Sequence, residues 1–134
     1  MAGNRWLLKT EPATYSFADL VRDKRTTWDG VRNPVALKHL RSMHKGDEAL
    51  VYHTGDEKAI VGIARIASEP IPDPKSKDPK LVVVDLEPVR ALAHPVTLAA
   101  VKADRRFADF ARVRIPRLSV MPVSAEQWHA LLRL

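Results

Sequence analysis

Five stretches of this chain, residues 6–9, 49–53, 59–66, 81–89 and 118–123, alternate apolar with polar positions or gather β-branched residues, and each has the length of a strand. Apolar residues recur at helical spacing over 34–43, where Leu37 and Leu40 share a face, and over 125–132. Shorter helices are predicted over 17–22 and 98–102. Each helix starts behind a residue that can cap its free N–H groups: Ser16, Asn33, Thr97 and Ser124. Ser124 and Gln127 add the spacing of a capping box. Asn33 precedes a proline, which keeps it out of the helical region, and Pro34 then fills the first helical position, where no donor is needed.

Most of the strands follow one another between residues 45 and 90, separated by a turn at Gly55-Asp56 and by the segment 70–80. That order predicts an α+β curved sheet or barrel rather than a βαβ repeat. The segment 70–80 carries four prolines and alternating charges, so it is expected as an extended surface loop that links two strands without regular pairing. No repeat of solenoid or propeller length is visible.

Composition narrows the class. A length of 134 residues suits a single domain, 1–134, with its own core. No apolar run approaches the roughly 20 residues that span a bilayer, and no secretory signal follows the start of the chain, so a cytosolic protein with no membrane partner is expected. The absence of cysteine excludes disulfides, thiolate metal sites and cysteine nucleophiles. A net charge of +6 favours polyanions, and nucleic acid is the simplest one at this size, although solubility alone accounts for such a charge as well. The clearest polyanion footprint is the run Arg105, Arg106, Arg112, Arg114 and Arg117 around Phe107 and Phe110. Arg112, Arg114 and Arg117 are its candidate phosphate contacts, with a solvated basic face as the alternative.

Candidate chemistry concentrates in Trp28-Asp29-Gly30-Val31-Arg32-Asn33. An aromatic plate, a glycine turn, a guanidinium and a helix start lie within six positions, which is equipment for gripping a planar, phosphate-bearing ligand. A base stacked on Trp28 gains about 1–3 kcal/mol whatever its identity, so selectivity falls to polar neighbours such as Arg32 and Asn33. The alternatives are core packing for Trp28, a loop-carbonyl contact for Arg32 and plain capping for Asn33. Trp6 and Trp128 sit at strand and helix positions and are expected in the core. Lys9-Thr10-Glu11-Pro12 ends the first strand and brings together an ammonium, a hydroxyl and a carboxylate, or simply a surface Lys9–Glu11 ion pair. His53 ends another strand, where it either donates to a ligand or serves the structure. No histidine pair has metal-ligand spacing and the glycines never cluster, so neither a metal nor a nucleotide cofactor is expected. Asp19 and Asp23 share a helix face and are expected to be solvated.

In order along the chain, Trp6-Leu7-Leu8-Lys9-Thr10-Glu11-Pro12, Tyr15-Ser16, Thr27-Trp28-Asp29-Gly30-Val31-Arg32-Asn33, Gly46-Asp47, Tyr52-His53, Ile60-Val61-Gly62-Ile63-Ala64 and Arg117-Leu118-Ser119-Val120 resemble the EVE domain family nearly end to end. The resemblance implies a PUA-like bent barrel of five to six strands flanked by short helices, related to YTH domains. It implies a non-enzymatic reader of a modified base, modified cytosine in DNA foremost, with RNA binding common among relatives. Residue by residue, it places Trp28 in the pocket wall, Thr10 and Asn33 on the base edge, and Lys9, Arg32, His53 and Ser119 at the rim or on phosphate. The chain departs from the family pattern at Pro34-Val35-Ala36-Leu37, at Pro116 and in the shortened segment 70–80 before Leu81. A monomer that binds DNA or RNA is therefore expected. The competing readings are an RNA-binding accessory, and an enzyme on a nucleotide or small amide with His53, or Lys9 and Glu11, as acid and base.

Overall fold

The computed structural model describes residues 4–107 and 119–134. Its strands are β1 (Arg5–Thr10), β2 (Thr26–Trp28), β3 (Glu48–His53), β4 (Ala59–Ile66), β5 (Ile71–Pro72), β6 (Val82–Thr97) and β7 (Val120–Val123). They hydrogen-bond in the order β2-β6-β4-β3-β1-β7, with the two-residue β5 added to β6, and the sheet curls into a half-barrel. Pairing is antiparallel throughout except between β1 and β3, which run parallel inside the sheet. That position explains their composition: β3 is buried from Ala49 to His53 and β1 from Trp6 to Leu8, because strands covered on both faces have no polar side to show.

The helices cover the sheet. Residues Phe17–Asp23 form α1, Pro34–Arg41 form α2, Leu98–Ala103 form α3 and Ala125–Leu132 form α4, with a 3-10 turn at Arg105–Phe107. Each is capped as its sequence predicts. The Ser16 and Ser124 hydroxyls accept from the N–H groups of Asp19 and Gln127, whose side chains reach back to the cap N–H groups, and Asn33 accepts from Val35 and Ala36. Helix α2 buries Ala36, Leu37 and Leu40, and α4 buries Trp128 and Leu131. Trp6 is also in the core, its indole N–H donating to the buried carboxylate of Asp47 at 3.0 Å. Asp47 accepts as well from the N–H groups of Asn4 and His44, so one carboxylate satisfies three donors at the base of the sheet. Helix α1 seats through Phe17, whose ring lies so close to Gly62 of β4 that a Cβ there would come within 2.5 Å of Cζ.

Three expectations need correction. Thr26–Trp28 forms a strand that the polarity pattern does not mark, because its order comes from pairing with Val84, Asp85 and Leu86 rather than from its own residues. The loop 70–80 pairs at its start, Ile71 with Val83 and Pro72 with Val82. Strand β6 does not stop at Val89 but runs to Thr97. It passes Pro88 and Pro95 because its register against β4 slips twice, between Ile60 and Gly62 and between Ile63 and Ala64, and a strand that bulges tolerates missing donors. Among the described residues no helix is long and apolar enough to cross a membrane.

Candidate functional site

Trp28 is the last residue of β2, and Gly30 follows two positions on with φ +78°, a left-handed conformation that a residue with a side chain adopts only under strain. The chain therefore turns sharply just after the indole. Trp28 is half-buried and meets Tyr15 edge to face, with ring centroids 6.5 Å apart and planes at 82°. The two rings stand in the wall of a cleft of about 760 Å³. Thr10 enters it from the end of β1, and Thr14 and Tyr15 from the loop before α1. Arg25, Thr26 and Thr27 line it from β2 and its approach, Asp85 from β6, Asp29 from the turn and Lys75 from the loop that follows β5.

Hydrogen bonds decide what this cleft offers. The Thr10 hydroxyl donates to the carbonyl of Tyr15 at 2.7 Å, and the Thr27 hydroxyl donates to Asp85 at 2.8 Å. Tyr15 donates its phenolic proton to Asp23 at 2.9 Å. With their protons committed inside the protein, these oxygens present lone pairs, so they accept. Arg25 braces the same wall, its Nε and Nη2 donating to one oxygen of Asp85 at 3.1 and 2.9 Å. Burial alone would push the Asp85 carboxyl up. The hydrogen bonds from Arg25 and Thr27 together outweigh it and hold the group below its ordinary value, so it is ionised at neutral pH. Burial pushes the Tyr15 phenol above its ordinary value, a hydrogen bond with Thr26 works against that, and the Asp23 carboxylate adds to the rise. Asp23 is itself held low, first by its hydrogen bond from Arg22 and then by the one from Tyr15. The cleft thus combines aromatic faces with acceptors, and Lys75 and the remaining N–H groups of Arg25 stand at its border as donors.

Of the residues singled out in the sequence, Trp28 and Thr10 lie together in this cleft. Arg32 lies in an adjoining cavity of about 310 Å³ that shares Asp29 and Lys75 with it. Asn33 is exposed at the start of α2, where its side-chain oxygen accepts from Val35 and Ala36 at 2.8 and 3.2 Å, leaving its amide N–H groups to donate. His53 is 7% exposed and outside the cleft lining. Its Nε2 accepts from the backbone N–H of Phe17 at 3.0 Å, which leaves the ring proton on Nδ1 to be donated to Glu57 at 2.7 Å. With both nitrogens used, the ring joins β3 to the first turn of α1, and this counts against an acid–base role. Glu11 accepts from the N–H of Ala13 and the hydroxyl of Thr54. Lys9 and Ser119 meet through a backbone hydrogen bond of 2.9 Å and do not line the cleft. Arg112, Arg114 and Arg117 lie outside the described residues. Among the described residues, no group of three or more His, Asp and Glu side chains is placed to hold a metal.

Reading the residues one by one passes over Tyr15, Arg25, Thr27 and Asp85. A signal for Asp85 exists: it is the one carboxylate within the apolar run 81–86. Tyr15 and Thr27 enter only through the family motifs that contain them, without a role of their own.

The family model described as EVE domain matches residues 4–134. Human thymocyte nuclear protein 1 is 32% identical over 165 aligned positions, covering 98% of this chain and 73% of the human protein. The alignment is longer than the 134-residue chain, so the human protein carries insertions that this chain lacks. Among solved structures, a Rhodopseudomonas palustris protein is 44% identical with a TM-score of 0.92, over 97% of this chain and 91% of that one. The human THYN1 protein in complex with 5-methylcytosine-containing DNA is 30% identical with a TM-score of 0.88, over 97% of this chain and 96% of that one.

Proposed function

The chain belongs to the EVE domain family, and from that premise we propose that it binds nucleic acid by taking one base, a modified cytosine in DNA by preference, into the cleft against Trp28. The observation that carries the reading is the Trp28–Tyr15 pair. The rings meet edge to face, so one of them keeps both faces free of the other and its partner keeps one, which leaves a stacking surface for a base. A base stacked there gains about 1–3 kcal/mol, against a few kcal/mol to extrude it from a duplex, so stacking alone does not pay for entry. The acceptors supply the rest: the Thr10 oxygen, its proton held by Tyr15, matches the exocyclic amino group of cytosine and not the carbonyl that thymine or uracil has in its place. The relative solved with 5-methylcytosine DNA supports the choice of base. A buried 5-methyl group adds about 1 kcal/mol, roughly fivefold, so discrimination against plain cytosine is expected to be modest.

In this reading the protein is a cytosolic, monomeric binder that releases its ligand unchanged. Trp28 forms the wall and Thr10 meets the base edge, Arg32 stands at the rim in the adjoining cavity with the free amide N–H groups of Asn33 next to it in the chain, and Lys9, His53 and Ser119 contribute from behind the lining. Arg112, Arg114 and Arg117 contact phosphate. The test is calorimetric titration of matched DNA and RNA oligonucleotides, with and without 5-methylcytosine, against wild type and Trp28→Ala. Methyl-dependent binding that the mutant loses while keeping its circular-dichroism melt supports the proposal. Binding indifferent to methylation points to a generic RNA- or DNA-binding accessory, and a Trp28→Ala chain that fails to fold makes the indole a core residue.

A further inference from the structure

The cleft is the first of three neighbouring cavities that share wall residues. The second shares Asp29 and Lys75 with it, and a third of about 250 Å³ shares Arg32 and Leu81 with the second. Cations mark each step: Lys75 between the first two, Arg32 between the second and third, then Arg41 and Lys80 in the third. Among the described residues none of the four makes an ion pair. Acidic neighbours are present but differently engaged. Asp73 and Asp78 accept from the backbone N–H groups of Lys75 and Lys80, both at 2.9 Å, and so serve the loop, while Asp29 stands alone at the first junction. The loop is also fastened at both ends, Asp73 N–H donating to the Leu81 carbonyl and Arg41 Nη2 to the Lys80 carbonyl. The four exposed cations face three carboxylates, Asp29, Asp73 and Asp78, none of them within ion-pair distance, so the row keeps a small positive excess and its ammonium and guanidinium groups remain open to a phosphate backbone.

Resting on the base-reading proposal, we infer that the strand carrying the bound base leaves the cleft along this row, its sugar–phosphate backbone passing Lys75 and Arg32 toward Arg41 and Lys80. The loop 73–80 is thus a backbone-binding element, and one flank of the bound nucleotide is held while the other is not.

Lys80→Gln and Arg41→Gln, which lie beyond the base cleft, test this against Lys102→Gln, an exposed lysine of α3 that lines none of the three cavities. The probes are 5-methyl-2′-deoxycytidine monophosphate and single-stranded oligonucleotides that extend from one 5-methylcytosine in only the 5′ or only the 3′ direction. Each of the first two substitutions is expected to flatten the slope of log affinity against log salt by about 0.7 for one flank, with no change for the other flank or for the monophosphate. Lys102→Gln should leave all slopes as they are. Equal effects on both flanks, or an unchanged slope while the monophosphate still binds, overturn the exit route alone. A wild-type protein that binds no monophosphate and ignores the methylcytosine in the oligonucleotides overturns the base reading, and the route with it.

Discussion

Asp85 holds two walls of the cleft in place, because Arg25 and Thr27 both donate to its carboxylate. Its folded carboxyl binds a proton less readily than the unfolded one, so protonation favours unfolding. The stabilisation is complete above the ordinary carboxylate value and disappears as pH falls through the lowered folded value. Asp85→Asn should therefore flatten the acid limb of stability against pH, read by urea denaturation between neutral and strongly acid solution, and an unchanged limb would show that Asp85 does not contribute to it. His53 makes a different prediction. His53→Ala strips the buried Phe17 N–H of its acceptor, and about 1–3 kcal/mol of folding stability should go with it. Both residues show what a sequence hides at this scale. Trp28 and Thr10 are legible because a turn and a strand end frame them, whereas Asp85 and Tyr15 owe their places to partners 58 and 8 residues away.

The elements are where sequence reading goes furthest. Caps are local chemistry, so Ser16, Asn33, Thr97 and Ser124 announce their helices, and Ser124→Ala should cost about 0.5–2 kcal/mol through α4. Long apolar stretches likewise place β1, β3 and β4. Short strands escape, since β2 has three residues and β5 two, and both take their order from β6. The close approach of α1 to β4 is equally silent in the sequence. Gly62→Ala would drive a methyl group into the Phe17 ring, and the ring must shift, taking with it the helix start beside Tyr15. The expected loss is about 1–3 kcal/mol by thermal denaturation, together with weaker base binding in the cleft. A fully stable Gly62→Ala protein would mean that α1 is not seated by this contact.

For the whole molecule, charge is legible and sheet order is not. Composition gives the net +6 directly, and from it a prediction: oligonucleotide affinity falls steeply with salt, whereas unfolding in the same buffers changes little. Affinity that ignores salt would remove phosphate contacts from the account. The parallel pairing of β1 with β3, and the place of β7 on the far side of β1, follow from packing among distant segments that no local pattern encodes. That arrangement bears on how the protein is made. Arg5 pairs with Val123, so during translation one edge of β1 has no partner until residues 120–123 have left the ribosome. A chain stalled before residue 120 would carry Trp6, Leu7 and Leu8 on an open strand edge, a template for pairing with other nascent chains. Products truncated before residue 120 should accordingly be recovered as aggregates or with chaperones, whereas chains that include β7 should not.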